Sequence, residues 1–216
     1  MSYFAINIVA SLSIMLPAVL LVLRRRFIAP AFYPFALLVW IGTINELISL
    51  EEIIYHHSNM LNSNIYVLIE YLLLLWLFQQ WNEWRYSSAF LLGCIGIAIW
   101  VIDNFFWHSI KTDNSFFRMA YSSIIVWLSM SQSTRIIIND TSHLYKNARF
   151  ILCLTFIIYY SFKTFFESYN LVNEGISDRF FYWLWLMLNV VNLFTNLCYS
   201  YVIVWIRKKT PFTLQY

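Results

Sequence analysis

Apolar residues along this 216-residue chain fall in continuous blocks of about twenty residues, separated by short polar segments. A block of that length crosses the roughly 30 Å hydrocarbon layer of a bilayer as one α-helix, whereas helices of water-soluble proteins alternate apolar and polar positions. The pattern therefore predicts an all-α, polytopic membrane protein with seven transmembrane helices. The predicted helices cover 3–23, 28–50, 65–81, 87–107, 117–138, 150–168 and 180–206.

Composition agrees with this pattern. Hydrophobic residues make up 61% of the chain and charged residues only 12%, about half the charged fraction of an ordinary soluble domain. The connecting segments are too short to hold a soluble domain, so we expect residues 1–216 to form a single transmembrane domain in the cell membrane, which is the inner membrane if the source is bacterial. Within the first helix, Pro17 predicts a kink.

The basic residues predict the orientation, because Lys and Arg favour the cytoplasmic side of a membrane. With seven crossings and the N-terminus outside, ten basic residues lie inside and three outside, and the C-terminus is cytoplasmic. The outer three are Lys111, Arg118 and Arg179. The inner ten are Arg24, Arg25, Arg26, Arg85, Arg135, Lys146, Arg149, Arg207, Lys208 and Lys209.

Five ionisable residues fall within or at the ends of the predicted helices, where each unpaired charge costs a few kcal/mol. The alternating helix directions place all of them in the outer half of the membrane, which predicts one polar cavity opening outward. Four carboxylates face one lysine, so the expected ligand is neutral or cationic. The five residues are Glu46, Glu70, Asp103, Lys163 and Glu167.

Lys163 is expected to be the counter-charge of this cavity. Glu167 lies four residues later on the same helix face and is an expected partner, as are Glu46 and Glu70. The seventh helix adds a stripe of amides that includes Asn189 and Asn192, which would be badly placed against lipid. We therefore expect these side chains, together with Asn45, to converge between the second, third, sixth and seventh helices.

In helix number and orientation the chain resembles seven-helix membrane proteins, including receptor-like and rhodopsin-like bundles. The resemblance covers most of the chain but carries no motif. Rhodopsins of the microbial type hold retinal on a lysine of the seventh helix, where this chain has asparagines, so no cofactor is predicted.

The chain contains no P-loop, GxGxxG, GxSxG or HExxH motif. The leading hypothesis is therefore a non-enzymatic sensor or regulatory module that binds a small ligand and acts through a cytoplasmic protein or nucleoprotein partner, with the lipid bilayer as its other partner. The expected docking residues for that partner are Arg135, Lys146, Arg149, Arg207, Lys208 and Lys209.

Two alternatives belong to other classes. One is a small channel, transporter or membrane effector that serves a cytoplasmic stress or defence system. The other is a zinc-dependent membrane hydrolase, because His56, His57 and His108 fall on the expected outer side near acidic residues. These histidines lie in or beside loops, and their spacing matches no pair of zinc ligands on one helix.

Overall fold

The computed structural model describes residues 3–81, 86–139, 144–172 and 178–206, and within these ranges the protein is helical throughout, without strands. Six helical segments in this part of the chain are long and apolar enough to cross a membrane. The all-helical class and its membrane-compatible segments therefore agree with the prediction. The α-helices are α1 Tyr3–Leu12, α2 Met15–Arg24, α3 Tyr33–Ile54, α4 Met60–Trp81, α5 Tyr86–Val101, α6 Ser115–Asn139, α7 Ala148–Val172 and α8 Asp178–Trp205.

Consecutive long helices run in opposite directions, so the bundle has two ends. At the first, Arg24 at the end of α2 donates to the Ile203 carbonyl near the end of α8, and the Trp81 indole donates to the Ala31 carbonyl ahead of α3. At the second, Asn64 of α4 donates to two carbonyls of the segment between α5 and α6. We name these the Arg24 end and the Asp103 end.

The first predicted helix is broken in two. α1 ends at Leu12 and α2 begins at Met15, with a tight turn in which the Leu16 amide donates to the Ser13 carbonyl at 3.1 Å. Pro17 has no amide hydrogen to give to that carbonyl, so the helical pattern fails one turn before it. The expected distortion is present, and it places Ser11 and Ser13 at a break inside the bundle.

α6 is the helix that is long enough to cross a membrane without being among the six apolar segments. Its 25 residues span about 37 Å. Ser122, Ser129 and Ser133 are buried, because this face packs along α7 over most of its length, while Trp127 and Ile138 are exposed on the opposite face. The count of seven crossings therefore stays a prediction.

The connection from α3 to α4 is shorter than predicted, because both helices extend beyond their predicted bounds. His56 adopts a left-handed conformation, with φ of 57°, directly after α3. Its amide donates to the Ile53 carbonyl, and the His57 amide donates to the Glu52 carbonyl, which is the hydrogen-bond pattern of a Schellman cap. α4 then begins at Met60 rather than near residue 65.

The half of the core nearer the Arg24 end is filled by aromatic rings. Phe156 of α7 lies 6.1 Å from both Phe78 and Tyr199, measured between ring centroids, and Tyr199 lies 5.2 Å from Phe35. These rings are buried and come from four helices. We call this cluster the aromatic seal, and it consists of Phe32, Phe35, Phe78, Trp81, Phe156 and Tyr199.

Candidate functional site

Glu70 is the centre of the buried polar network. Its Oε2 accepts a hydrogen bond from the Tyr121 hydroxyl at 2.6 Å, its Oε1 accepts one from Tyr160 at 2.9 Å, and Lys163 Nζ lies 3.2 Å from Oε2. The carboxylate comes from the middle of α4, and its partners come from α6 and α7. A charge at this depth is tolerated because each carboxylate oxygen has a donor.

Lys163 sits in a cage of tyrosine rings. Its Nζ lies 5.0 Å from the ring centroid of Tyr121, 5.7 Å from that of Tyr159 and 5.8 Å from that of Tyr160. It also donates to the Tyr121 hydroxyl. The electron-rich faces of the rings attract the ammonium group and exclude water from it, which strengthens its attraction to Glu70.

Glu167 belongs to a second network nearer the Asp103 end. Its carboxylate accepts from the Ser115 hydroxyl at 2.7 Å and lies 3.7 Å from the Arg118 guanidinium, which in turn donates to Ser63 and Asn64. Arg118 was expected on the outer side at the start of a predicted helix, and it is a second, partly buried cation. Among the described ion pairs, none joins Lys163 to Glu167, so the expected pairing along one helix is replaced by contacts between helices.

Asp103 does not join the predicted cavity. It is fully buried in a π turn, Ile102–Trp107, where one carboxylate oxygen lies 2.8 Å from His108 Nδ1 and the other accepts the Phe117 amide at 2.7 Å. That amide is at the start of α6, where unpaired N–H groups attract an anion. Asp103 therefore caps α6, instead of lying at a wet interface or facing Lys163.

A cavity of about 70 Å³ lies between α1, the turn that follows it, and helices α3, α4, α7 and α8. Glu46, Glu70 and Asn192 line it, as predicted for the shared cavity, but Lys163, Glu167 and Asn189 do not. Asn189 instead donates to the Trp185 carbonyl in its own helix. The full lining is Ser11, Ile14, Leu38, Val39, Glu46, Tyr66, Glu70, Tyr159, Asn192, Thr195, Asn196 and Tyr199.

Asn45, although adjacent to Glu46, makes a link between helices. Its side-chain oxygen accepts from the Asn62 amide at 2.9 Å, and the same amide reaches the Ser49 hydroxyl at 3.2 Å. This contact fastens the end of α3 to the start of α4. It holds the wall of the cavity without facing it.

A larger pocket of about 390 Å³ opens at the Asp103 end. We call it the outer pocket. Ser115 and Asn170 in its wall both contact the Glu167 carboxylate, at 2.7 and 3.5 Å, so Glu167 lies directly beneath it. The lining residues are His108, Asp113, Ser115, Asn170, Leu171 and Phe181.

The histidines do not assemble a metal site. His56 and His57 are exposed in the α3–α4 connection, whereas His108 contacts Asp103. In the described ranges, no three side chains of the types His, Cys, Asp and Glu come together as metal ligands. The zinc-hydrolase alternative therefore has no ligand set among these residues.

Three of the six expected docking residues lie in the described part of the chain, and they differ in exposure. Arg135 and Lys146 are exposed at the Arg24 end, and Lys146 lies over the rings of Tyr145 and Trp205. Arg149 is partly buried in the first turn of α7, which Asn147 caps. Arg207, Lys208 and Lys209 lie outside the described residues.

The network residues that were not singled out from the sequence include Tyr66, Arg118, Tyr121 and Thr195. Tyrosines are so frequent in this chain that no single one stands out. Arg118 offered the clearer signal, because an arginine three residues into a membrane-length helix needs a partner.

Comparison of the chain with protein-family models, curated proteins and solved structures finds no match.

Proposed function

We propose that this chain is a seven-helix cell-membrane protein, with its Asp103 end outside and its Arg24 end in the cytoplasm, that binds a small cationic ligand and signals to a cytoplasmic partner. The orientation is supported by charge. In the described residues, the Arg24 end carries Arg24, Arg25, Arg26, Arg135, Lys146 and Arg149, in keeping with the preference of basic residues for the cytoplasmic side.

The outer pocket carries the ligand proposal. Its volume of about 390 Å³ falls in the range of small-molecule sites. Asp113 in its wall and Glu167 behind it give two carboxylates beside the single Arg118 guanidinium, and Asp103, behind His108, adds a third. This excess of acid favours an amine or ammonium compound, and Phe181 adds an aromatic ring to the pocket wall.

A sensing role is favoured over the channel or effector alternative by the aromatic seal. A conducting path must continue through the bundle, yet the rings of Phe35, Phe78 and Phe156 fill the core on the Arg24 side of the cavity. A bundle that a ligand can enter at one end and that is closed at the other can bind and signal, but it cannot conduct ions. Ion flux through liposomes holding the purified protein should equal that of empty liposomes, and a cation current would favour the channel.

Ligand binding is tested by calorimetric titration of the protein in lipid nanodiscs with choline and ethanolamine. Asp113→Asn should weaken binding of the preferred probe by about tenfold, the change expected for loss of one charge contact worth about 1.4 kcal/mol. Glu51→Gln is the control, since Glu51 is exposed outside the pocket. Equal binding by the protein and Asp113→Asn, or no heat with either probe, would contradict the proposal.

Orientation is tested separately with reporters. A reporter fused after Tyr216 should be cytoplasmic, and an epitope inserted at Ser58 should be reached by antibody on intact cells. The reverse pattern would refute the orientation.

The partner, a protein or nucleoprotein with an acidic surface, is expected to dock at Arg135 and Lys146. Replacing both by glutamate should abolish co-purification of a cytoplasmic partner that binds the unaltered chain. Lys111→Glu, at the Asp103 end, should leave it unchanged.

A further inference from the structure

Within the described part of the chain, Glu46 is the one acidic residue of the predicted cluster without a Lys, Arg or His side chain at ion-pair distance. It lies about 12 Å inside the bundle, counted as eight residues from the end of α3. Glu70, on the opposite wall of the cavity, is already neutralised by Lys163. A partly buried carboxylate with no counter-charge is costly in free energy. A cation bound in the cavity would therefore stabilise Glu46.

Thr195 gives a second and independent sign. Some buried helical hydroxyls, such as that of Thr43, donate to the carbonyl four residues earlier, and others, such as that of Ser129, have no partner but do not line the cavity. Thr195 is buried, lines the cavity, and has no hydrogen-bond partner. Its oxygen is therefore left for an occupant of the cavity.

The remaining polar groups supply oxygen atoms. Asn196 donates its side-chain N–H to Ser13 at 2.7 Å, which leaves its amide oxygen for the cavity. Asn192 and Ser11 stand in the same wall. Carboxylate, amide and hydroxyl oxygens together are the donor set that hard cations prefer.

The volume of the cavity limits the size of the cation that it can hold. At about 70 Å³, the cavity has room for a small ion with one or two waters, each of which occupies about 30 Å³ in the liquid. An organic ammonium ion of the size expected in the outer pocket does not fit. A single unpaired carboxylate matches one positive charge rather than two.

There is also a route of entry. A smaller cleft of about 30 Å³ between α1 and α3 shares Ser11 and Glu46 with the cavity, and it reaches Asn7 and Ile53 near the Asp103 end. Glu46 stands between the two spaces. The aromatic seal closes the other side.

We infer that the cavity at Glu46 binds one monovalent inorganic cation, which enters from the Asp103 end and is held by Glu46, Thr195 and the Asn192 and Asn196 amides. This site is separate from the outer pocket, and its test does not depend on the proposed ligand or partner.

The experiment measures the thermal unfolding of the purified full chain in detergent. NaCl and KCl are compared with N-methyl-D-glucamine chloride, at equal ionic strength, because that organic cation is too large for the cavity. At a tenfold excess over the dissociation constant, Na⁺ or K⁺ should raise the Tm by about 3–6 °C in a saturable way.

Two variants separate cation binding from general salt effects. Glu46→Gln keeps the shape of the side chain and should remove the cation dependence, and Thr195→Val should weaken the apparent affinity. Glu51→Gln, an exposed carboxylate on the same helix, should respond like the unaltered protein. A Tm independent of the cation, which is the result for a protonated Glu46 beside water alone, would overturn the inference, as would an unchanged response in Glu46→Gln.

Discussion

The two halves of this bundle fill their interiors in opposite ways. Towards the Asp103 end, ionic side chains are buried in pairs, as when Glu70 meets Lys163 and Glu167 meets Arg118. Towards the Arg24 end, helices α3, α4, α7 and α8 bury aromatic rings such as Phe78 and Phe156. Because the buried ion pairs of the described residues are confined to one half, the proposed ligand and cation are expected to enter from that end.

The halves also differ in how their stability arises. Rings in the aromatic seal are stabilised by non-directional packing, which each neighbour supplies in part. The ionic half relies on specific donors at fixed distances, so the loss of one partner leaves another group unsatisfied. The variants below test this contrast, in order of expected effect.

The largest loss is expected from Phe156→Ala, which empties the centre of the aromatic seal. Removal of a buried ring leaves a cavity and should cost about 3–5 kcal/mol. Phe105→Ala is the control, because Phe105 is 61% exposed and should change stability little. The measurement is the thermal unfolding midpoint, and equal values for the two variants would show that the seal is not a packed core.

Lys163→Met should cost about 3 kcal/mol, at the lower end of the range for breaking a buried ion pair, because Tyr121 and Tyr160 still donate to Glu70. Combined with Glu70→Gln, the loss should be smaller than the sum of the two single losses by at least about 1 kcal/mol. Additive losses in this double-mutant cycle would contradict the coupling. Lys111→Met, at an exposed site, controls for charge removal.

A smaller loss, about 1–2 kcal/mol, is expected for Asp103→Asn. The amide oxygen can still accept the Phe117 N–H, but the negative charge at the start of α6 and beside His108 is lost. Asp113→Asn, at a more exposed carboxylate, should stay within about 0.5 kcal/mol. If the two variants were equally stable in thermal unfolding, the capping role of Asp103 would be wrong.

The smallest expected effect is an increase in the free energy of unfolding. His56→Gly should stabilise the protein by about 0.5–1 kcal/mol, because glycine adopts the left-handed conformation at φ of 57° without a Cβ clash. Since this position belongs to neither half, the double-mutant coupling at Glu70 should be unchanged. The matched variant His57→Gly, whose φ is not positive, should lower the unfolding midpoint.

Helix positions were largely predictable, because lipid-length apolar blocks have few alternatives. The predicted helix bounds were wrong where polar residues form contacts between helices. The third predicted helix began at residue 65 and left out Asn62 and Asn64, yet both belong to α4 and bond to Asn45 and to the α5–α6 connection. The serines of α6 lower its hydropathy, although they face α7 rather than lipid.

The polar cluster was only partly predictable. Sequence spacing gives neighbours within one helix, and it favoured Glu167 beside Lys163. The cost of an unpaired charge also favoured Glu70 as a partner, and the structure pairs it with Lys163, whereas the contact with Tyr121 depends on how α4, α6 and α7 are rotated against one another. That rotation is set by packing of the whole bundle, and it likewise directs Asp103 away from the cavity and towards α6.

The contact of Arg24 with α8 has a consequence for biosynthesis. The guanidinium caps carbonyl groups of Ile203 and Val204, residues made long after it, and Asn196 reaches back to Ser13 in the same way. During translation, the Arg24 side chain of α2 therefore lacks these acceptors until α8 has been made. Because these bonds join segments about 180 residues apart, the bundle closes late, and chains arrested before α8 expose the unfinished side of α2 to quality control.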